Sequence, residues 1–101
     1  MKQRSHSKAA KALKLKAGEV RAISKAIADP QRYEILQHIA REGMTCADLR
    51  QRCPITPATL SHHLKELEEA GLITIARQGK FALPSFRRDI WLAYLSQLSE
   101  L

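Results

Sequence analysis

Two helical stretches lie so close together in this chain that only a sharp turn fits between them. The segment is TCADLRQRCPITPATLSHHLKELEEAG, Thr45 to Gly71. Thr45 followed three residues later by Asp48 resembles a capping box, with Asp in place of the usual Glu or Gln. A short helix then runs through Leu49 to about Arg52, and Pro54 breaks it. Thr56 caps the next helix and Pro57 takes its first position, where a missing N–H costs nothing. Leu60, Leu64 and Leu67 form an i, i+4, i+7 stripe that must be buried, and Gly71 supplies the stop. Two helices joined by a tight, proline-containing turn make a helix-turn-helix.

The flanking sequence completes a small domain. Val20, Ile23 and Ile27 recur at helical spacing, in a pattern that begins as early as Ser7 or Lys8 and firms up after Gly18. That helix stops at Asp29-Pro30, a cap and first position for the next one. There Tyr33, Leu36 and Ile39–Ala40 share a face with Ile35 beside them, and Gly43 ends the helix. After Gly71 the period changes. LITIAR alternates with β-branched residues, RQGK is a turn and FALP a short return strand, so a hairpin with a basic tip follows the second helix of the pair. A last helix is expected from Phe86 to about Ser99. Its apolar residues (Phe86, Ile90, Trp91, Leu92, Ala93, Tyr94, Leu95 and Leu98) cover more than one face, and such a helix needs a partner on both sides. The fold class is mainly α with a small β-hairpin, a winged helix-turn-helix.

Charge is distributed unevenly. The chain carries 17 Lys and Arg against 10 Asp and Glu, a formal net charge of +7. Residues 1–16 hold six of the bases (Lys2, Arg4, Lys8, Lys11, Lys14 and Lys16) and no acid, leaving the remainder nearly balanced. Residues 1–17 therefore read as a basic N-terminal arm or an extension of the first helix, and residues 18–101 as the domain. A basic arm suits a polyanion. No apolar run approaches the roughly 20 residues that span a bilayer, so no membrane partner is expected. The N-terminus lacks the apolar core of a secretory signal, and two cysteines make no secreted disulfide framework; a cytoplasmic setting is expected. No nucleophile–base–acid set and no glycine-rich phosphate loop is visible, so the chain does not read as an enzyme and no cofactor is expected.

Residues 20–98 resemble the ArsR/SmtB family of bacterial winged-helix repressors. The strings ADPQRYEILQHI, TPATLSHHLKELEEAGLI and ARQGKFAL carry the resemblance. It implies a homodimer paired through the first and last helices, with Val20, Ile23, Ile90, Trp91, Tyr94, Leu95 and Leu98 at the interface, bound to double-stranded operator DNA. The recognition helix is residues 57–70 and the wing residues 76–81. Opposite the leucine stripe stand Ala58, Ser61, His62 and Lys65, with Thr59 on a flank. Small and hydroxylic residues allow a close approach to base edges, and helix amides near Thr56 can meet a phosphate. In the family the residue after this serine commonly contacts DNA, and here it is His62. His63 lies nearer the core and reads as a packing or orienting residue. No acid occurs between Pro54 and Lys65, whereas Glu66, Glu68 and Glu69 follow. Arg77, Gln78 and Lys80 of the wing reach the backbone or minor groove. The alternative is a winged-helix module for protein interaction or RNA without operator specificity, since fold alone does not set function.

Sensing by metal is not expected. The family's thiolate site has two cysteines separated by one residue, where this chain has MTCADL with Cys46 alone. The last helix offers Asp89 and Glu100 but no histidine. Adjacent His62 and His63 diverge by about 100° on a helix and cannot share an ion. Cys46 and Cys53 have three readings, as a redox pair, as core residues or as metal ligands. As a redox pair, Cys46 gains acidity from a helix N-terminus, but seven helical residues rise about 10 Å, beyond disulfide reach. As core residues, both fill positions that are aliphatic in the family.

Overall fold

The computed structural model describes residues 13–101. Five helices and one hairpin follow in the order α1 (Ala17–Ala28), α2 (Pro30–Glu42), α3 (Cys46–Arg52), α4 (Pro57–Glu69), β1 (Ile73–Gln78), β2 (Phe81–Phe86) and α5 (Arg88–Leu98). The local signals act as caps. The Asp29 carboxylate accepts from the Arg32 backbone N–H at 3.0 Å, with Pro30 opening α2. Thr45 and Asp48 form a reciprocal capping box at α3, and the Thr56 hydroxyl accepts from Thr59 N–H at 3.1 Å at α4. At the far end of α4, Leu72 N–H bonds to Leu67 C=O and Gly71 N–H to Glu68 C=O, each at 3.0 Å. This is a Schellman arrangement that requires a left-handed residue, and Gly71 supplies it at φ 84°.

The core is assembled from single faces of these elements. Ile23 and Ala26 of α1, Ile35, Leu36 and Ile39 of α2, Leu49 of α3, and Leu60, Leu64 and Leu67 of α4 are buried together with Leu72, Ile73, Ala93 and Tyr94. The strands pair antiparallel from Ile73↔Phe86 to Gln78↔Phe81. The two-residue loop Gly79–Lys80 has positive φ at Gly79 and at no non-glycine residue, the pattern of a type II′ hairpin turn.

Three expectations are corrected. Phe86 does not start the last helix: it closes β2, paired with Ile73. The Arg87 N–H then bonds back to Leu72 C=O at 2.8 Å, which carries the extended conformation up to the helix. Tyr33 does not share the core face of α2 but is exposed, while Ile35 takes its place inside. Leu15, within the segment assigned to the arm, is buried. The Gln97 side chain holds its backbone from both sides, accepting from Leu15 N–H at 3.2 Å and donating to Leu15 C=O at 2.9 Å. Helix α1 begins at Ala17; the basic residues Lys2, Arg4, Lys8 and Lys11 lie outside the described residues.

Leu67 is fully buried where α4 meets the rest of the core. Leu67→Ala is expected to destabilise the fold by about 2–5 kcal/mol, measured as a lower urea midpoint at unchanged m-value.

Candidate nucleic-acid interface

The flank of α4 that carries Leu60, Ser61, Leu64 and Lys65 encloses, with α3 and the wing, an open groove of about 620 Å³. Four of the expected contact residues meet there: Ser61 and Lys65 from α4, and Arg77 and Lys80 from the wing. Hairpin alternation accounts for Arg77 in the wing. Arg77 shares a face with Ile73 and Ile75, which point inward, so its side chain continues that row into the groove. Gln78 does not line the groove, although its cross-strand partner Phe81 does.

The structure adds residues that periodicity did not single out. Arg50 and Ala47 of α3 line the same groove, as does Phe81 at the base of the wing turn. Phe81 is 66% exposed. An exposed aromatic directly after a turn has no periodic signature, and only the packed hairpin places Phe81 at the groove. The carboxylates Glu68 and Glu69 line the groove's far end. The gradient from basic to acidic along α4 is therefore preserved in space.

Thr56, Ala58, Thr59 and His62 lie outside the groove lining. Thr56, Ala58 and His62 are exposed on α4 or its cap, and Thr59 is half-buried. The Thr56 hydroxyl is engaged twice, accepting from Thr59 N–H and donating to the Thr59 hydroxyl at 2.9 Å. Thr56 thus spends its side chain on shaping the helix start.

His63 is the one polar residue in the buried set, 5% exposed. Its Nδ1 accepts from Arg32 Nε at 3.3 Å and its Nε2 lies 2.9 Å from Gln31 Oε1. Burial pushes its pKa below the ordinary 6.5; Asp29 and Glu66 work against that, while Arg32 and His62 add to it. The orienting role read from the sequence has definite partners on α2.

The two cysteines lie at opposite ends of α3. Cys46 is half-buried at the first position of α3 and Cys53 is buried at its C-cap, so one uninterrupted helix separates them. Burial raises the Cys46 thiol above its ordinary value, and Arg77 and Arg50 only partly offset this. Burial and Glu34 raise Cys53, with Arg52 opposing. No group of three or more His, Cys, Asp or Glu placed to hold a metal ion occurs among the described residues. Nor is any helix there long and apolar enough to cross a membrane.

The expected interface residues divide into three groups. Ile23 and Tyr94 are buried inside the protomer, 0% and 4% exposed, and are removed from any surface; the Tyr94 hydroxyl lies 2.8 Å from that of Ser24. Val20, Ile90 and Trp91 are partly buried against the core. Leu95 and Leu98 remain exposed, and Leu92, not anticipated as an interface residue, joins them at 46%.

Comparison with known proteins agrees with this architecture. A helix-turn-helix domain family matches residues 27–76. Transcriptional repressor SdpR of Bacillus subtilis (strain 168) is 37% identical over 68 residues, covering 67% of this chain and 76% of that protein. An arsenical resistance operon repressor of the same organism is 41% identical over 59 residues, covering 57% of this chain and 56% of its own length. A crystal structure of an ArsR family transcriptional regulator superposes with a TM-score of 0.77 at 23% identity, covering 87% of this chain and 91% of the other.

With both thiols protonated and held apart by α3, diamide or peroxide is expected to leave two titratable thiols per native chain. Loss of both in a unimolecular reaction, seen by mass spectrometry, would contradict the helix geometry.

Proposed function

The chain belongs to the ArsR/SmtB family of winged helix-turn-helix transcriptional regulators, DNA-binding repressors, and from that premise we propose how it reads its operator. The observation that carries the proposal is the convergence of Ser61, Lys65, Arg77, Lys80 and Arg50 on one groove whose acids, Glu68 and Glu69, sit only at the far end. The N-terminal half of α4 enters the major groove. Ser61 and His62 face base edges, Ala58 permits close approach, and Thr59 borders the contact. Lys65 and Arg50 meet phosphates. The wing lies along the backbone or minor groove through Arg77, Lys80 and Gln78, and its charges supply salt-dependent affinity. The Thr56 cap leaves amides of the first turn toward a phosphate.

The active unit is a homodimer. Helix α5 fully buries only Ala93 and Tyr94 of its 11 residues, and it leaves Leu92, Leu95 and Leu98 exposed in one run of sequence, with Leu101 beyond them. A second copy covers this surface, joined by Val20 on α1 and by the outer edges of Ile90 and Trp91. Twofold symmetry then places two α4 helices about one DNA turn, roughly 34 Å, apart on an imperfect palindrome. The protein acts in the cytoplasm, and no catalytic step is part of its function.

Selection of genomic fragments by the reduced protein with chelator present, scored against random duplex at near-physiological salt, tests this. Enrichment of a palindrome is expected; enrichment of nothing would favour a protein-interaction or RNA-binding module. On the selected site, Ser61→Ala and His62→Ala are expected to weaken specific binding more than random-duplex binding. Arg77→Ala is expected to weaken both and to lower the salt slope by about 1. Leu95→Glu is expected to convert dimers to monomers in sedimentation, and a persistent dimer would move the interface off α5.

A further inference from the structure

We propose that His63 is a positioning residue whose neutral ring sets the seat of the recognition helix on the start of α2, and that a proton on it loosens operator recognition. The inference rests on the DNA-binding reading of α4 given above. His63 is the only buried polar side chain among the described residues, and it lies on the same helix as Ser61 and His62. Its two contacts are both to the first turn of α2, at Gln31 and Arg32.

The hydrogen-bond chemistry allows one ring state. An arginine has no acceptor, so Arg32 Nε–H donates and Nδ1 must carry a lone pair. The proton then sits on Nε2, which donates to Gln31 Oε1. Arg32 is itself held from two more directions. Its Nη1 donates to Ala26 C=O at 3.3 Å, the last turn of α1. Its backbone N–H donates to the Asp29 carboxylate at 3.0 Å. One guanidinium therefore ties the end of α1 and the start of α2 to the middle of α4. The leucine stripe decides that α4 is buried; non-directional apolar contact alone permits it to rock or slide. The His63 contacts, being directional, remove that freedom two residues from the base-facing Ser61.

Protonation places Nδ1–H against Arg32 Nε–H, two donors face to face beside a fixed positive charge. The charged groups around the ring come from every neighbouring element. Helix α4 brings His62 and Glu66, α2 brings Arg32, and the α1–α2 junction brings Asp29. Lys25 of α1 lines the adjoining recess together with Arg32 and Glu66. Burial holds the ring neutral below the ordinary pKa of 6.5. The sign follows: with the folded pKa below the unfolded one, the tie contributes fully above about pH 6.5 and is lost as pH falls through the lowered folded value.

The test uses the full-length protein and two variants, His63→Leu, which keeps bulk but no polar atom, and His63→Asn, whose Oδ1 accepts in place of Nδ1 without titrating. Long-range nitrogen–proton NMR of the free wild-type protein at pH 7.5 is expected to show the Nε2–H tautomer. The Asn variant is expected to keep the ratio of selected-site to random-duplex affinity, and the Leu variant to lower it about tenfold, the value of one hydrogen bond to a charged group. Lowering the pH to 5.5 is expected to reduce that ratio more in the wild type than in the Asn variant, since the two differ only at position 63. A purely structural role would lower the Tm of the Leu variant and leave the ratio intact, which overturns the proposal, as does an Nδ1–H ring. If the wild type does not discriminate the selected site, the DNA-binding reading fails separately. The tautomer and the α4 amide shifts on His63→Leu then decide the helix tie alone.

Discussion

The burial of Leu60, Leu64 and Leu67 is the constraint on which the rest depends. These three side chains place one face of α4 against α1, α2 and β1, and they are nearly or fully inaccessible. At 3.6 residues per turn, fixing that face inward fixes the opposite face outward. Ser61, His62 and Lys65 have no freedom to be elsewhere. The hairpin is bound to the same decision, because Leu72 and Ile73 follow the Gly71 stop directly into the core. Their burial turns the chain so that the wing emerges beside the exposed face of α4, and the groove between wing and helix follows from the packing.

Local chemistry marks the ends of the elements because each end must satisfy its own orphan backbone groups. That is why Asp29-Pro30, Thr45–Asp48, Thr56-Pro57 and Gly71 were legible as boundaries from the sequence, and why the observed bounds lie within a residue or two of them. The failures have a different physical origin. Phe86 was placed in a helix because its apolar spacing joined that of Ile90 and Trp91. The backbone instead found a partner in Ile73, across a hairpin that no helical period encodes. Tyr33 was placed in the core because a period cannot tell which edge of an apolar stripe meets the protein and which meets water. Ile23 and Tyr94 were assigned to a partner for the same reason.

The site was legible in type but less so in membership. Basic side chains at a turn and small polar ones on a helix face can be read along the chain. Which of them converge depends on the crossing of elements distant in sequence. Arg50 reaches the groove because α3 packs beside β2, and Gln78 is left out although its cross-strand partner Phe81 lines it. Cys46 shows the competition within one position. Burial raises its thiol pKa, Arg77 and Arg50 lower it, and only the packed structure says that burial prevails.

The same constraints meet at His63. In sequence it is the second of two identical residues, and helical geometry alone separates their fates by about 100°. His62 turns to solvent, while His63 turns inward, to a place where an apolar residue would satisfy the hydrophobic stripe equally well. A buried imidazole is tolerated only if both nitrogens are paired, since an unpaired one costs about 1–3 kcal/mol. Arg32 and Gln31 meet that demand from a helix separated from His63 by about thirty residues. An apolar residue there would have left α4 attached but less narrowly oriented. The polar pair exchanges some of the ease of apolar packing for direction. Direction is what a helix that must match base edges requires, because a misplaced hydrogen bond in a groove contributes little while a phosphate contact tolerates the shift.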